Sequence, residues 1–268
     1  MVREKNINIK NNKKENTTMN NIIKDNTIKI DKIKTCIPYE YCKLPDNDVY
    51  KASFLGFSYV KTKAGLVIEI SGKLFVSASS LGYITKENYK SIAERIYSLS
   101  GVQIDSNYLV TMAPTFRTDV CEDVVIKDNP LLYISELRQI LKRITYKYNI
   151  YMYKDCPYKK GFTVIPNKHI PEFNGLVIEK KTLSSKTRFS VYIKGAEIKK
   201  AKHREYRKHI SDELYKQTQQ TIRFELELKK FKDIRKHFGI NSKSAPVIQD
   251  LFKCQNSIIA DVMSKMIN

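Results

Sequence analysis

Two stretches decide the fold: Arg188-Phe189-Ser190-Val191-Tyr192-Ile193-Lys194 and Thr221-Ile222-Arg223-Phe224-Glu225-Leu226-Glu227-Leu228. Both alternate apolar and polar residues with a period of two, as a strand with one buried face does. In the first, Phe189, Val191 and Ile193 share one face, and Ser190, Tyr192 and Lys194 share the other. In the second, Ile222, Phe224, Leu226 and Leu228 oppose Arg223, Glu225 and Glu227. A third stretch, Thr115-Phe116-Arg117-Thr118-Asp119-Val120, sets Arg117 and Asp119 against Phe116 and Val120. If the three lie in one sheet, one face is apolar core and the other gathers Asp119, Glu225, Glu227, Tyr192 and Lys194.

The surrounding pattern supplies the rest of that sheet. Ile28, Ile30 and Ile33 lead into a first strand ending near Ile37, and Phe54 to Val60 pairs with Gly65 to Ser71 across a turn at Lys61 to Ala64. Tyr108 to Val124 and Leu176 to Glu179 read as further strands. Helices are predicted from Thr85 to a stop at Gly101, from Asn129-Pro130 through Ile144, and as one charged run from about Ala196 to Lys216. Phe231–Phe238 and Ala245–Met266 carry further helical signals. Strand pairs mixed with helices, without regular βαβ spacing, predict an α+β fold with a mainly antiparallel sheet and helices packed on one face.

Composition narrows the partner. The 268 residues carry 48 Lys+Arg against 28 Asp+Glu, a formal net charge of +20. Self-repulsion of that size suits an anionic partner: nucleic acid, an anionic membrane surface or a polyanionic substrate. Lysine drift in an AT-rich coding sequence is the plain alternative. No run of about 18 apolar residues is present, so membrane attachment falls behind nucleic acid. Five scattered cysteines without a CxxC pair, and no apolar leader, point to a reducing, cytoplasmic setting. With nine glycines, no phosphate-loop motif and no paired histidines, nucleotide-binding loops and His-based zinc sites fit poorly.

The polar face has a chemical meaning. Bunched carboxylates repel unless a hard cation such as Mg²⁺ or Mn²⁺ holds them, and such an ion prefers one or two carboxylate oxygens plus substrate phosphate. A tyrosine beside it can attack phosphorus and store the diester bond as a phosphotyrosine. A nearby lysine can steady the transition state. The competing reading is a solvated sheet face of surface ion pairs.

Phe189-Ser190-Val191-Tyr192-Ile193-Lys194-Gly195-Ala196-Glu197, a basic segment, and then Thr221 to Leu228 together resemble the filamentous-phage gene II/gene X replication initiators. Pro114 to Val120 is similar to the family's central Arg-x-Asp strand, and Val67 to Ser71 and Phe238-Gly239-Ile240 sit where members carry similar segments. The layout is also similar to rolling-circle plasmid initiators of the Rep-trans type. The resemblance implies a metal-dependent nicking and closing enzyme. It would cut one strand at an origin, stay joined to the 5′ phosphate, and leave a 3′ hydroxyl for rolling-circle synthesis. It implies Tyr192 as nucleophile with Lys194 beside it, Asp119 and Glu225 as metal-binding acids with Glu197 and Glu227 after them, and Mg²⁺ or Mn²⁺ as the ion. Origin DNA and host replication proteins would be partners, and a homodimer would suit a palindromic origin. The chain divides into a basic disordered arm over 1–30, a nicking domain over 31–240 and a C-terminal helical tail over 241–268. Long phage members continue into a further C-terminal domain, so a compact plasmid-type initiator, a truncated relative or an accessory form is expected.

Two further features bear on DNA. Lys199, Lys200, Lys202, Arg204, Arg207 and Lys208 follow Tyr192 closely, at spacings that would make a stripe along one helix and track phosphates. Tyr146, Tyr148, Tyr151, Tyr153 and Tyr158 could stack on unpaired bases or belong to ordinary strands. A DNA-binding replication or regulatory protein that keeps the fold without the chemistry is the second reading.

Overall fold

The computed structural model describes residues 27–46, 48–141, 148–153, 175–180, 187–254 and 257–267. In chain order these form β1 (Lys29–Ile37), β2 (Cys42–Lys43), β3 (Lys51–Phe54), β4 (Phe57–Thr62), β5 (Gly65–Ser71), α1 (Ile92–Ser100), β6 (Gln103–Ile104), α2 (Ser106–Thr111), β7 (Thr115–Val125) and α3 (Pro130–Leu141). There follow β8 (Tyr148–Tyr153), β9 (Gly175–Lys180), β10 (Arg188–Ile193), α4 (Lys194–Ile198), α5 (Arg204–Arg207), α6 (Asp212–Thr218), β11 (Thr221–Leu228), α7 (Phe231–Phe238), α8 (Ile248–Leu251) and α9 (Ile258–Ile267). Nine strands make one sheet in the order β3-β4-β5-β1-β7-β11-β10-β9-β8, every pairing antiparallel. The mixed α/β class with a large antiparallel sheet is the one predicted.

Alternation explains which way this sheet faces. Ile33 on β1, Ile68 on β5, Leu226 on β11 and Val191 on β10 are fully buried in one core. Ile92 and Ile96 of α1, Ile134 of α3 and Ile234 of α7 close over them. Each such side chain contributes roughly 1.5–3 kcal/mol of transfer free energy, so the apolar face supplies most of the fold's drive. Ile248, Leu251, Ile258 and Val262, in the segment read as a tail, join the same core. So do Ile28 and Ile30, at the end of the segment read as an arm; residues 1–26 lie outside the described residues. No helix of the described residues is long and apolar enough to cross a membrane.

Three expected elements differ. Residues 106–111 are helix rather than strand, because Asp105 caps the turn: its Oδ1 accepts from Tyr108 N at 2.7 Å. The charged run 196–216 is not one helix. It breaks at Lys200, whose backbone is extended (ψ 142°), resumes as the short α5, and starts again at Ser211, whose side chain accepts from Leu214 N. The C-terminal helical signal is likewise split, into α8 and α9. The broken crossover packs Ile198, Tyr206 and Ile210 with Leu81 in a separate small core. It lies toward the polar face of the sheet and walls a cleft there.

Candidate active site

The polar face of the sheet floors a cleft of about 670 Å³. Arg117 and Asp119 come from β7, Glu225 and Glu227 from β11, and Ser190 and Tyr192 from β10. Register brings them together: Glu227 lies opposite Asp119, Ser190 opposite Glu225, and Tyr192 opposite Arg223. The face predicted from alternation is therefore assembled. Lys194 and Glu197 of α4, with Lys200, Lys202 and His203 after it, form one wall.

Tyr192 reaches diagonally across the strand pair, and its hydroxyl donates to Glu225 Oε2 at 2.6 Å. The side chain is only 8% exposed. Burial, then the Glu225 and Glu197 charges, push its pKa well above that of a free phenol. Glu225 is pushed up to about 7, by burial first and then by the charges of Asp31 and Asp119. Asp119 is pushed up to about 6 by burial, although Arg117 pulls the other way. The acid that accepts the tyrosine proton's hydrogen bond thus titrates near neutrality.

The other acids are committed to cations. Arg117 grips Asp119 with Nε and Nη2, at 3.0 and 2.8 Å, and reaches Glu227 Oε1 at 2.6 Å. Lys229 adds a second contact to Glu227 at 3.1 Å. Glu197 Oε2 takes Lys194 Nζ at 2.6 Å, and its Oε1 lies 2.9 Å from His203 Nε2. Burial and the Arg223 charge oppose the charged form of Lys194, yet Glu197 and Asp31 hold its pKa above the ordinary lysine value. Burial likewise disfavours ionised Glu197, and Lys194 with His203 overrides it, holding its pKa well below normal. Among the described residues, no group of three or more His, Cys, Asp or Glu side chains is arranged to hold a metal. Asp119 and Glu225, two acids raised by burial, the second also by the charge of the first, are a donor pair that a hard cation completed by phosphate oxygens would suit.

Two residues of this site escaped the sequence reading. Asp31 reaches the cleft because β1 slips register between Ile30 and Lys32, which turns both Asp31 and Lys32 to the polar face. There Asp31 Oδ1 accepts from Arg223 Nη1 at 2.6 Å, while Asp123 binds the same guanidinium through both oxygens. The signal was the Ile30-to-Ile33 spacing of three, one residue too many for strict alternation. Lys73, in the 3₁₀ turn Gly72–Phe75, lines the cleft beside His203 and had no sequence signal.

The basic stripe divides. Lys200 and Lys202 line the cleft; Lys199, Arg204 and Lys208 are exposed and Arg207 half-buried outside it, with Lys208 paired to Glu205 at 2.9 Å. Of the tyrosine run, Tyr148, Tyr151 and Tyr153 fall on the edge strand β8, and Tyr146 and Tyr158 lie outside the described residues.

No family model matches this chain, and no curated protein matches it. Among solved structures it is similar to the rolling circle replication initiator protein from Geobacillus stearothermophilus, at 10% identity over 88% of this chain and 95% of that one, with a TM-score of 0.38. A likeness at this level assigns no residue a role here.

Proposed function

We propose that this protein is a replication initiator that nicks one strand of origin DNA through Tyr192. The observation that carries the reading is the Tyr192 hydroxyl bonded to Glu225 on the floor of a cleft where acids and cations are closely matched. Tyr192 Oη attacks phosphorus, and Glu225 takes the phenolic proton as the new bond forms, so no free phenolate is needed in the enclosed site. Arg117 holds Asp119 and Glu227 in place, and Arg223 does the same for Asp31 and Asp123. Mg²⁺ or Mn²⁺, held by Asp119 and Glu225, would supply positive charge against the phosphoryl oxygens. Lys200 and Lys202 on the wall would take neighbouring phosphates of the strand.

The test is covalent trapping. A labelled pool of random-sequence single-stranded oligonucleotides with Mg²⁺ or Mn²⁺ should give an SDS-resistant adduct with the native protein and none with Tyr192→Phe. An adduct that survives Tyr192→Phe rejects this nucleophile. Binding without any adduct, in either metal, would leave a DNA-binding protein that lacks the chemistry.

A further inference from the structure

Lys73 is a cleft cation to which the nicking chemistry above gives no task. Its Nζ lies 2.9 Å from His203 Nδ1 and 5.2 Å from the centre of the Tyr206 ring. An ammonium only donates, so Nδ1 accepts and the ring proton sits on Nε2, the nitrogen 2.9 Å from Glu197 Oε1. Burial lowers the His203 pKa, although Glu197 opposes it, which favours the neutral ring as acceptor. Three of the other cleft cations are tied to carboxylates: Lys194 to Glu197, Arg117 to Asp119, Lys32 to Glu69. A lysine locked to a carboxylate parts with its proton poorly; one resting on an imidazole and a ring face does so more readily. The Lys73 pKa is lowered to about 8, by burial first; Lys194 and Lys202 act the same way, and Glu197 and Asp31 oppose them. Lys73, Asp31 and Tyr192 all line the same cleft.

Strand cleavage by a tyrosine needs a proton donor as well as a proton acceptor. The bond that breaks joins phosphorus to O3′, and an alkoxide is a poor leaving group unless protonated as it departs. We propose that Lys73 is the general acid of the cleavage step, with Nζ donating to the departing 3′ oxygen. In balance, the Tyr192 Oη–P bond forms as the P–O3′ bond breaks. The phenolic proton passes to Glu225 and one Nζ proton passes to O3′, which leaves a 3′ hydroxyl and a neutral Lys73. Closing runs the same transfers backward, with Lys73 accepting the 3′ hydroxyl proton. The assignment rests on the nicking reading above.

The experiment uses the oligonucleotide that native protein cuts from the random pool, remade with either oxygen or sulfur at the 3′ bridging position. A thiolate leaves without protonation, so the sulfur substrate needs no acid. Lys73→Met and Lys73→Arg should lose about 10²–10⁴-fold in adduct formation on the oxygen substrate, and both should match native protein within about threefold on the sulfur one. Activity on sulfur also shows that the variant site is folded. An equal deficit on both substrates overturns the assignment, as does full oxygen activity in Lys73→Arg, which keeps the charge but not a transferable proton. If native protein yields no Tyr192-dependent adduct at all, the nicking reading falls and takes this one with it; a normal Tyr192-dependent adduct in Lys73→Met sinks this one alone.

Discussion

At the scale of single residues, Glu225 is the group whose protonation the fold can feel. Its ordinary pKa of 4.5 rises to about 7 because burial, Asp31 and Asp119 all penalise the charged form. The native state therefore holds this proton more tightly than the unfolded chain does. The stability this contributes is complete below about pH 4.5 and is lost as the pH climbs through about 7. Above that range, ionised Glu225 costs the fold on the order of 1–2 kcal/mol, once water reaching its half-buried carboxyl is allowed for. Glu225→Gln keeps an acceptor for the Tyr192 hydroxyl and removes the charge. In EDTA at pH 8 it should raise the melting temperature by a few degrees, and at pH 5 the gain should shrink toward nothing. Equal melting at pH 8 would show that Glu225 ionises in the fold without penalty. The same substitution should abolish adduct formation, so stability and activity are expected to move in opposite directions.

At the scale of elements, the turn Gly72–Phe75 carrying Lys73 is fixed by backbone rather than by side chains. Gly56, at φ 79°, closes the β3–β4 hairpin so tightly that a Cβ there would lie 2.2 Å from Leu74 N. Gly82, at φ 74°, passes from the other side, where a Cβ would lie 2.3 Å from Gly72 O. Gly56→Ala and Gly82→Ala should each cost at least about 2 kcal/mol in urea unfolding, since strain and a backbone clash add. Gly239→Ala, at φ 65° with open space around it, should cost only about 1 kcal/mol. Similar costs at all three positions would mean that the turn shifts easily. This clamp also marks where sequence pattern stops being informative. β10 and β11 were legible because Phe189 to Ile193 and Ile222 to Leu228 obey one period on one buried face. The starts of α2 and α6 carry cap residues, Asp105 and Ser211, inside runs whose β-branched and charged residues mask them in the sequence. The Lys73–His203 contact joins residues 130 apart, and no periodicity encodes a meeting that depends on two glycines and a broken helix.

Over the whole molecule, as far as the described residues go, the cleft carries little of the positive excess, its lining acids and cations being nearly equal in number. Arg117 and Lys229 meet Asp119 and Glu227, and Arg223 meets Asp31 and Asp123, so these groups offer no net positive field toward a strand. The wall differs, because Lys200 and Lys202 stand at the cleft while Lys199 and Lys208 point elsewhere. A single strand running over Tyr192 would release counterions at the first pair and not at the second. Binding of a labelled oligo(dT) across a salt series measures this directly, since each phosphate contact to single-stranded DNA adds about 0.7 to the slope of log affinity against log salt. The Lys200→Ala/Lys202→Ala protein should lose about 1.4 from that slope, and Lys199→Ala/Lys208→Ala should lose almost nothing. Equal losses from both pairs would mean that the strand follows the outer face of the crossover rather than the cleft. That path would carry the scissile phosphate away from Tyr192, so the salt slopes test the placement of the whole site without requiring the protein to cut.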